Sequence, residues 1–250
     1  HESLEFEHDG QRLFNFDGVE SITSNSARTK RNDHTAIGKF GVGFKAVFAY
    51  TSTPEIHSGN HHFRIRDMVV PEVVTATSID PRTAETRFRF PFDHPTKDKS
   101  RASQEIESAL LGLGDNTLLF LSHIHTIEYL LPNGRLGKLQ RIEEGGGRIA
   151  IHAIRPDGSE SKSQWLRFEK AVEVKDDGGD NKTCRIAIAY ALSSKEGRKG
   201  PGPEWQIVPL DRGQVSIYFP AEKESSNLRF HIHAPFASTV RSEERRVGKG

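Results

Sequence analysis

Residues 37 to 50 read IGKFGVGFKAVFAY, and the three glycines Gly38, Gly41 and Gly43 run straight into apolar residues with helical spacing. Phe44, Val47 and Phe48 recur at i, i+3 and i+4, which predicts a helix over 43–50 with one buried face. The first amides of such a helix lack intrahelical partners and point at whatever precedes them, an arrangement that favours an anion. Glycine lets backbone N–H groups approach a ligand closely and permits positive φ. The spacing G-x-x-G-x-G reverses the dinucleotide fingerprint G-x-G-x-x-G and no apolar strand leads into it, which disfavours a Rossmann site. The other phosphate loop, G-x-x-x-x-G-K-[ST], occurs nowhere in the chain. Taken alone, the turn serves as well for close packing as for phosphate. Lys45 sits on the new helix, where it either neutralises phosphate charge or faces water.

Upstream, Leu4 and Phe6 alternate with charged neighbours before Asp9-Gly10, and Leu13 and Phe14 resume the apolar pattern. That is a short strand followed by a turn. Residues 21–36, SITSNSARTKRNDHTA, are polar and carry Arg28, Lys30 and Arg31, the composition of a mobile surface loop. Downstream, two strand-like runs flank Gly59-Asn60, a hairpin signal with Gly first in the turn. His57, His61 and His62 lack nearby carboxylates or cysteines, so solvent-facing strand ends are a better reading than metal ligation. Thr86 opens an alternating strand, TRFRFPF.

These flanks, LEFEHDGQRLFNFDGVESI before the glycines and TSTPEIHSGNHHFRIRDMVVP after them, together with the glycine motif resemble the Bergerat-fold (GHKL) ATP-binding domain. That domain is shared by ninety-kilodalton heat-shock chaperones, gyrase and histidine kinases. The bacterial ATP-binding proteins similar to the sacsin N-terminal domain are the nearest pattern. The resemblance covers residues 3–92 and, more loosely, the stretch after 117. It implies an α+β chain: a Bergerat-type α/β sandwich over 1–93, a linker and short helix over 94–117, and a β-rich transducer-like domain over 118–241. It also implies ATP and Mg2+ as cofactors, a lid over the phosphates at 21–36 that couples nucleotide state to the second domain, and a homodimer on lid closure. Residue by residue, it places Gly38, Gly41, Val42, Gly43, Phe44 and Lys45 at the phosphates, and Asp9, Gly10, His8 and Thr86 at the adenine end. The family's D-x-G-x-G aspartate falls on His8 if Gly10 is its first glycine, or on Asp9 with a one-residue shift. Arg12 then replaces the second glycine, and Glu85 replaces the glycine before Thr86. These departures support the alternative, a non-catalytic interaction scaffold that keeps the fold without nucleotide. The family's general-base glutamate and magnesium-holding asparagine lie on a helix before the first motif, and the chain opens after that helix. Turnover by this fragment is therefore not expected.

The chain has 250 residues, 34% hydrophobic and 28% charged, with 35 basic and 34 acidic side chains and a net charge of +1. This balance leaves no electrostatic footprint for nucleic acid or anionic membrane, and no apolar run is long enough to cross a bilayer. A cytoplasmic setting is expected. Cys184 is the single cysteine, excluding intrachain disulfides and multi-cysteine zinc sites, and it packs as a small hydrophobe. Ile106, Leu110 and Leu113 mark a short amphipathic helix ending near Gly112 or Gly114. Beyond it, runs at 118–131, 148–154, 164–174, 184–192, 214–220 and 228–236 read as antiparallel strands. His123 with His125, and His231 with His233, read as H-x-H pairs on the wet face of a sheet. Residues 242–250, SEERRVGKG, have no apolar period, resemble a translated adapter scar and are expected to be disordered.

Overall fold

The computed structural model of the chain describes residues 2–23, 42–75, 86–175, 181–195, 204–217 and 219–234. It divides into two compact units, His1–Leu113 with Tyr129–Arg135, and Gly114–Glu128 with Leu136–Gly250.

In the first unit, β1 (Ser3–His8), β2 (Glu55–Ser58), β3 (His61–Arg66), β4 (Val70–Val73) and β5 (Thr86–Pro91) form one antiparallel sheet in the order β1-β5-β2-β3-β4. Opposed residues share a face, so the register sorts the side chains. One face carries Leu4, Phe6, Phe88, Phe90, Ile56, Phe63 and Ile65, and the other carries Glu5, Glu7, Arg87, Arg89, Glu55, Arg64 and Glu72. On the charged face the sign alternates from strand to strand. Arg87 pairs with Glu7, Arg89 with Glu55 at 3.1 Å, and Arg64 with Glu72 at 3.0 Å. The apolar face is covered by α1 (Phe16–Thr23) through Val19 and Ile22, and by α2 (Val42–Lys45) and the 3-10 turn Ala46–Ala49 through Phe44 and Phe48. The Asn15 side chain caps α1 by accepting the Gly18 N–H at 2.9 Å. The hairpin turn at Gly59 has φ +55, as a turn with glycine in its first central position requires. A third helix, α3 (Lys99–Leu111), starts at Asp98, whose carboxylate accepts the N–H groups of Ser100 and Arg101, and buries Ala102.

The Bergerat-type α/β sandwich is overturned by this architecture. Strand outweighs helix among the described residues taken together, and among them only α1 and α3 are helices longer than four residues. Among the described residues, the sheet is covered by one eight-residue helix and two successive single turns instead of a layer of long helices. The physical reason lies in the sequence after Gly43, where barely two turns precede Thr51-Ser52-Thr53-Pro54. The Asp93 carboxylate gathers the Thr51 hydroxyl at 3.0 Å and the Ser52 amide at 2.6 Å, which fixes this stretch as loop.

The second unit is built on a nine-stranded sheet containing β6 (Thr126–Leu130), β7 (Leu136–Gly145), β8 (Arg148–Ile154), β9 (Glu160–Lys175), β10 (Asn181–Lys195), β11 (Glu204–Val208), β12 (Gln214–Ile217), β13 (Phe219–Ser225) and β14 (His231–His233). Its order is β13-β12-β14-β10-β9-β8-β7-β6, with β11 pairing separately on β10, and β12 runs parallel to β14. Ile149, Ile151, Trp165, Ala187 and Ala189 form its core with Leu119 and Phe120. The apolar run at 118–121 is not a strand. It is a fully buried segment following the 3-10 turn Asp115–Leu118, and its carbonyls are met by arginines from three strands. Arg141 donates to Leu118 O at 2.6 Å and to Leu121 O, Arg167 to Leu119 O at 2.9 Å, and Arg185 to Phe120 O. Buried carbonyls need such partners. No helix among the described residues is long and apolar enough to cross a membrane.

Candidate functional site

The strand ends of the first sheet place a polar row on the face that is otherwise apolar. His8 opposes Thr86, Thr86 opposes Ser58, and Ser58 opposes His61, one step beyond the row Phe6, Phe88, Ile56 and Phe63. Thr86 is fully buried and its hydroxyl lies 2.6 Å from that of Ser58. Ser58 Oγ also accepts the Phe14 N–H at 3.0 Å, which ties the segment leading into α1 to the strand end.

His8 is half-buried, with its ring 6.1 Å from both Phe6 and Phe88. Its Nδ1 accepts the Gly10 N–H at 3.1 Å. Burial lowers its pKa below the ordinary histidine value, against the opposing pull of the Asp9 carboxylate. The ring is therefore neutral at pH 7, and with Nδ1 as acceptor its proton sits on Nε2, leaving a donor at that corner. A Cβ at Gly10 would come within 2.9 Å of His8 Nδ1, so glycine here lets the chain turn back over the imidazole.

Phe44 lies 6.3 Å from Phe88 and 6.4 Å from Phe90, and crosses Phe48 edge-on at 6.2 Å. Phe88 thus touches both the histidine at the strand end and the helix that follows the glycines. The helix predicted over 43–50 is an α-turn followed by a 3-10 turn, with Phe44 and Phe48 on the sheet as their spacing required. Lys45 is half-buried.

Of the ten residues singled out in the sequence, His8, Gly10 and Thr86 are brought to one end of this sheet face, and Phe44 packs farther along it against Phe88 and Phe90. Asp9 follows the strand and is exposed. Val42, Gly43 and Lys45 belong to α2. Gly38 and Gly41, most of the lid segment 21–36, Glu85 and the tail 242–250 lie outside the described residues. Sequence reasoning missed Ser58 and Phe88. The signal for Ser58 is a hydroxyl at the last inward position of a buried strand, just before the Gly59-Asn60 turn.

Of the histidines read as solvent-facing, His57, His231 and His233 depart from that reading. His57 is buried, and its Nδ1 lies 3.1 Å from His62 Nδ1. His231 and His233 are buried in the second unit, against Trp165 at 5.1 Å and Phe120 at 5.5 Å. His123 and His125 precede β6 and are exposed. Cys184 is half-buried on β10.

No family model matches the chain, and no solved structure matches it. The chain is similar to Protein NO VEIN of Arabidopsis thaliana, 22% identical over 202 residues. That similarity takes in 72% of this chain and 7% of the plant protein, so the chain spans about 7% of that relative's length.

Proposed function

We propose that the chain binds ATP at the strand-end face of its first unit, with the base beside His8 and Thr86 and the phosphates toward Gly43 and Lys45. The observation that carries this is Phe88, in ring contact with both His8 and Phe44. It brings the polar row and the residues after the glycine motif onto one face. An adenine ring needs an apolar wall with a few convergent polar groups, and the Phe6–Phe88–Phe44 rings with the Nε2–H donor of His8 are of that kind. Backbone amides around Gly43 and the ammonium of Lys45 supply positive potential for phosphate oxygens. Among the described residues no group of three or more His, Cys, Asp or Glu gathers to hold a metal, so magnesium would be held chiefly through the triphosphate. The proposal concerns binding, not turnover.

One observation favours the second reading, a scaffold that acts without nucleotide. The Thr86 hydroxyl is fully buried and already engaged by Ser58.

Calorimetric titration of magnesium-ATP separates the two. Saturable binding by the chain, abolished by Gly43→Val and weakened less by Lys45→Ala, supports the nucleotide reading, with circular dichroism verifying the fold of each variant. Absence of heat with the folded wild-type chain, or equal binding by folded Gly43→Val, supports the scaffold.

A further inference from the structure

The second unit carries a separate polar trough. A concavity of about 720 Å³ is lined by Glu144, Arg148, Lys162, Gln164, Ser194 and Trp205, among others. Through Lys162 it adjoins a second concavity of about 440 Å³ that includes His152. Gln164 is only 8% exposed, and its Nε2 donates to Glu144 Oε1 at 3.3 Å. That bond fixes the amide, because a flipped amide would set two acceptors against each other. Among the described residues, Gln164 Oε1 is then a buried acceptor without a hydrogen-bond partner, Trp205 Nε1 a buried donor without one, and His152 Nε2 is likewise unmet. Buried polar groups left unmet are rare, and three lie along this one trough.

We propose that this trough binds an extended peptide segment bearing an acidic side chain. A peptide presents N–H and C=O groups in alternation, so one chain supplies a donor to Gln164 Oε1 and an acceptor to Trp205 Nε1. The unmet atoms sit on β8, β9 and β11, a spread of about 14 Å at the usual strand spacing, which calls for a polymer and not a small molecule. Lys162 lies 3.7 Å from Glu144, whereas Arg148 has no ion pair among the described residues. Its guanidinium is matched by a carboxylate on the ligand. Glu144 and Glu160 against Lys138, Lys162 and Arg148 leave a single excess positive charge, which argues against a nucleic acid.

The test is selection of a displayed library of random 12-residue peptides on the whole chain, with enriched sequences synthesised, labelled and titrated by fluorescence anisotropy. The expected result is enrichment of peptides containing Asp or Glu. Trp205→Phe, which keeps an aromatic ring but removes the indole N–H, should weaken them about 3- to 10-fold, and Gln164→Leu and Arg148→Gln should do the same. Trp205→Phe also removes indole volume, so it is read together with Gln164→Leu, which takes away the acceptor at a different side chain. No acidic enrichment, or equal binding by folded Trp205→Phe, overturns the proposal. Tighter binding of a 12-nucleotide poly-uridine, lost in the same variant, overturns it in favour of a nucleic-acid site.

Discussion

The hydroxyls of Ser58 and Thr86 lie 2.6 Å apart at opposed positions of β2 and β5, and Ser58 also accepts the Phe14 N–H. Ser58 is the centre of that pair of bonds. Ser58→Ala leaves both the Phe14 amide and the Thr86 hydroxyl without it, at a cost of about 1–3 kcal/mol. Thr86→Val keeps the shape and leaves Ser58 bonded to Phe14, so it should cost less. Urea denaturation of the two variants measures the order, and a larger loss for Thr86→Val would show that Thr86 is the centre.

The buried segment 118–121 depends on arginines from distant strands. The Arg141 side chain is 2% exposed and serves two carbonyls, while its Nε lies 3.1 Å from Glu143 as an ion pair without hydrogen-bond alignment. Arg141→Met should therefore destabilise the second unit by about 2–4 kcal/mol, as two buried acceptors and a carboxylate lose their donor. Arg155→Met, which breaks a more exposed pair with Asp115 at 3.5 Å, should cost less than about 1 kcal/mol. Similar losses for the two would mean that water, not Arg141, satisfies the carbonyls.

His233 sets a pH dependence. Burial, with help from the Arg185 charge, lowers its pKa to about 4, and Nδ1 donates to the Ser216 carbonyl. Between the ordinary value near 6.5 and about 4, the unfolded chain takes up a proton that the folded chain refuses. This residue's contribution is therefore intact above pH 6.5 and falls as pH drops toward 4, then levels off. The full span amounts to about 3 kcal/mol. His233→Gln should flatten stability against pH across that window in chemical denaturation, and an unchanged slope would place the acid sensitivity elsewhere.

Alternation was the most legible feature of the sequence. LEFEH and TRFRFPF put Phe6 and Phe88 on one face and Glu7 and Arg87 on the other, as the register confirms. The i, i+4 pair Phe44 and Phe48 likewise meets the sheet. What could not be read depends on residues far apart in the chain. The run at 118–121 has strand composition, but it is coil because Arg141, Arg167 and Arg185, 20 to 65 residues away, satisfy its carbonyls. His231 and His233 look like a wet H-x-H pair until Trp165 and Phe120 are seen against them. The helical layer implied by the glycine motif failed because the motif's neighbours fixed one strand pattern and two turns, not the length of what covers them. At the candidate site, the resemblance singled out His8 and Thr86 but not Ser58, whose place comes from pairing across β2 and β5.

The central claim is that the strand end at His8–Gly10 and the helix from Val42 belong to one nucleotide site. Hydrogen exchange of the chain with and without saturating magnesium-ATP tests this most directly. The account predicts slowed exchange in peptides covering residues 8–14 and 42–50 together, with the second unit unchanged. Protection in only one of the two segments, or none at a nucleotide concentration that saturates binding, would contradict it.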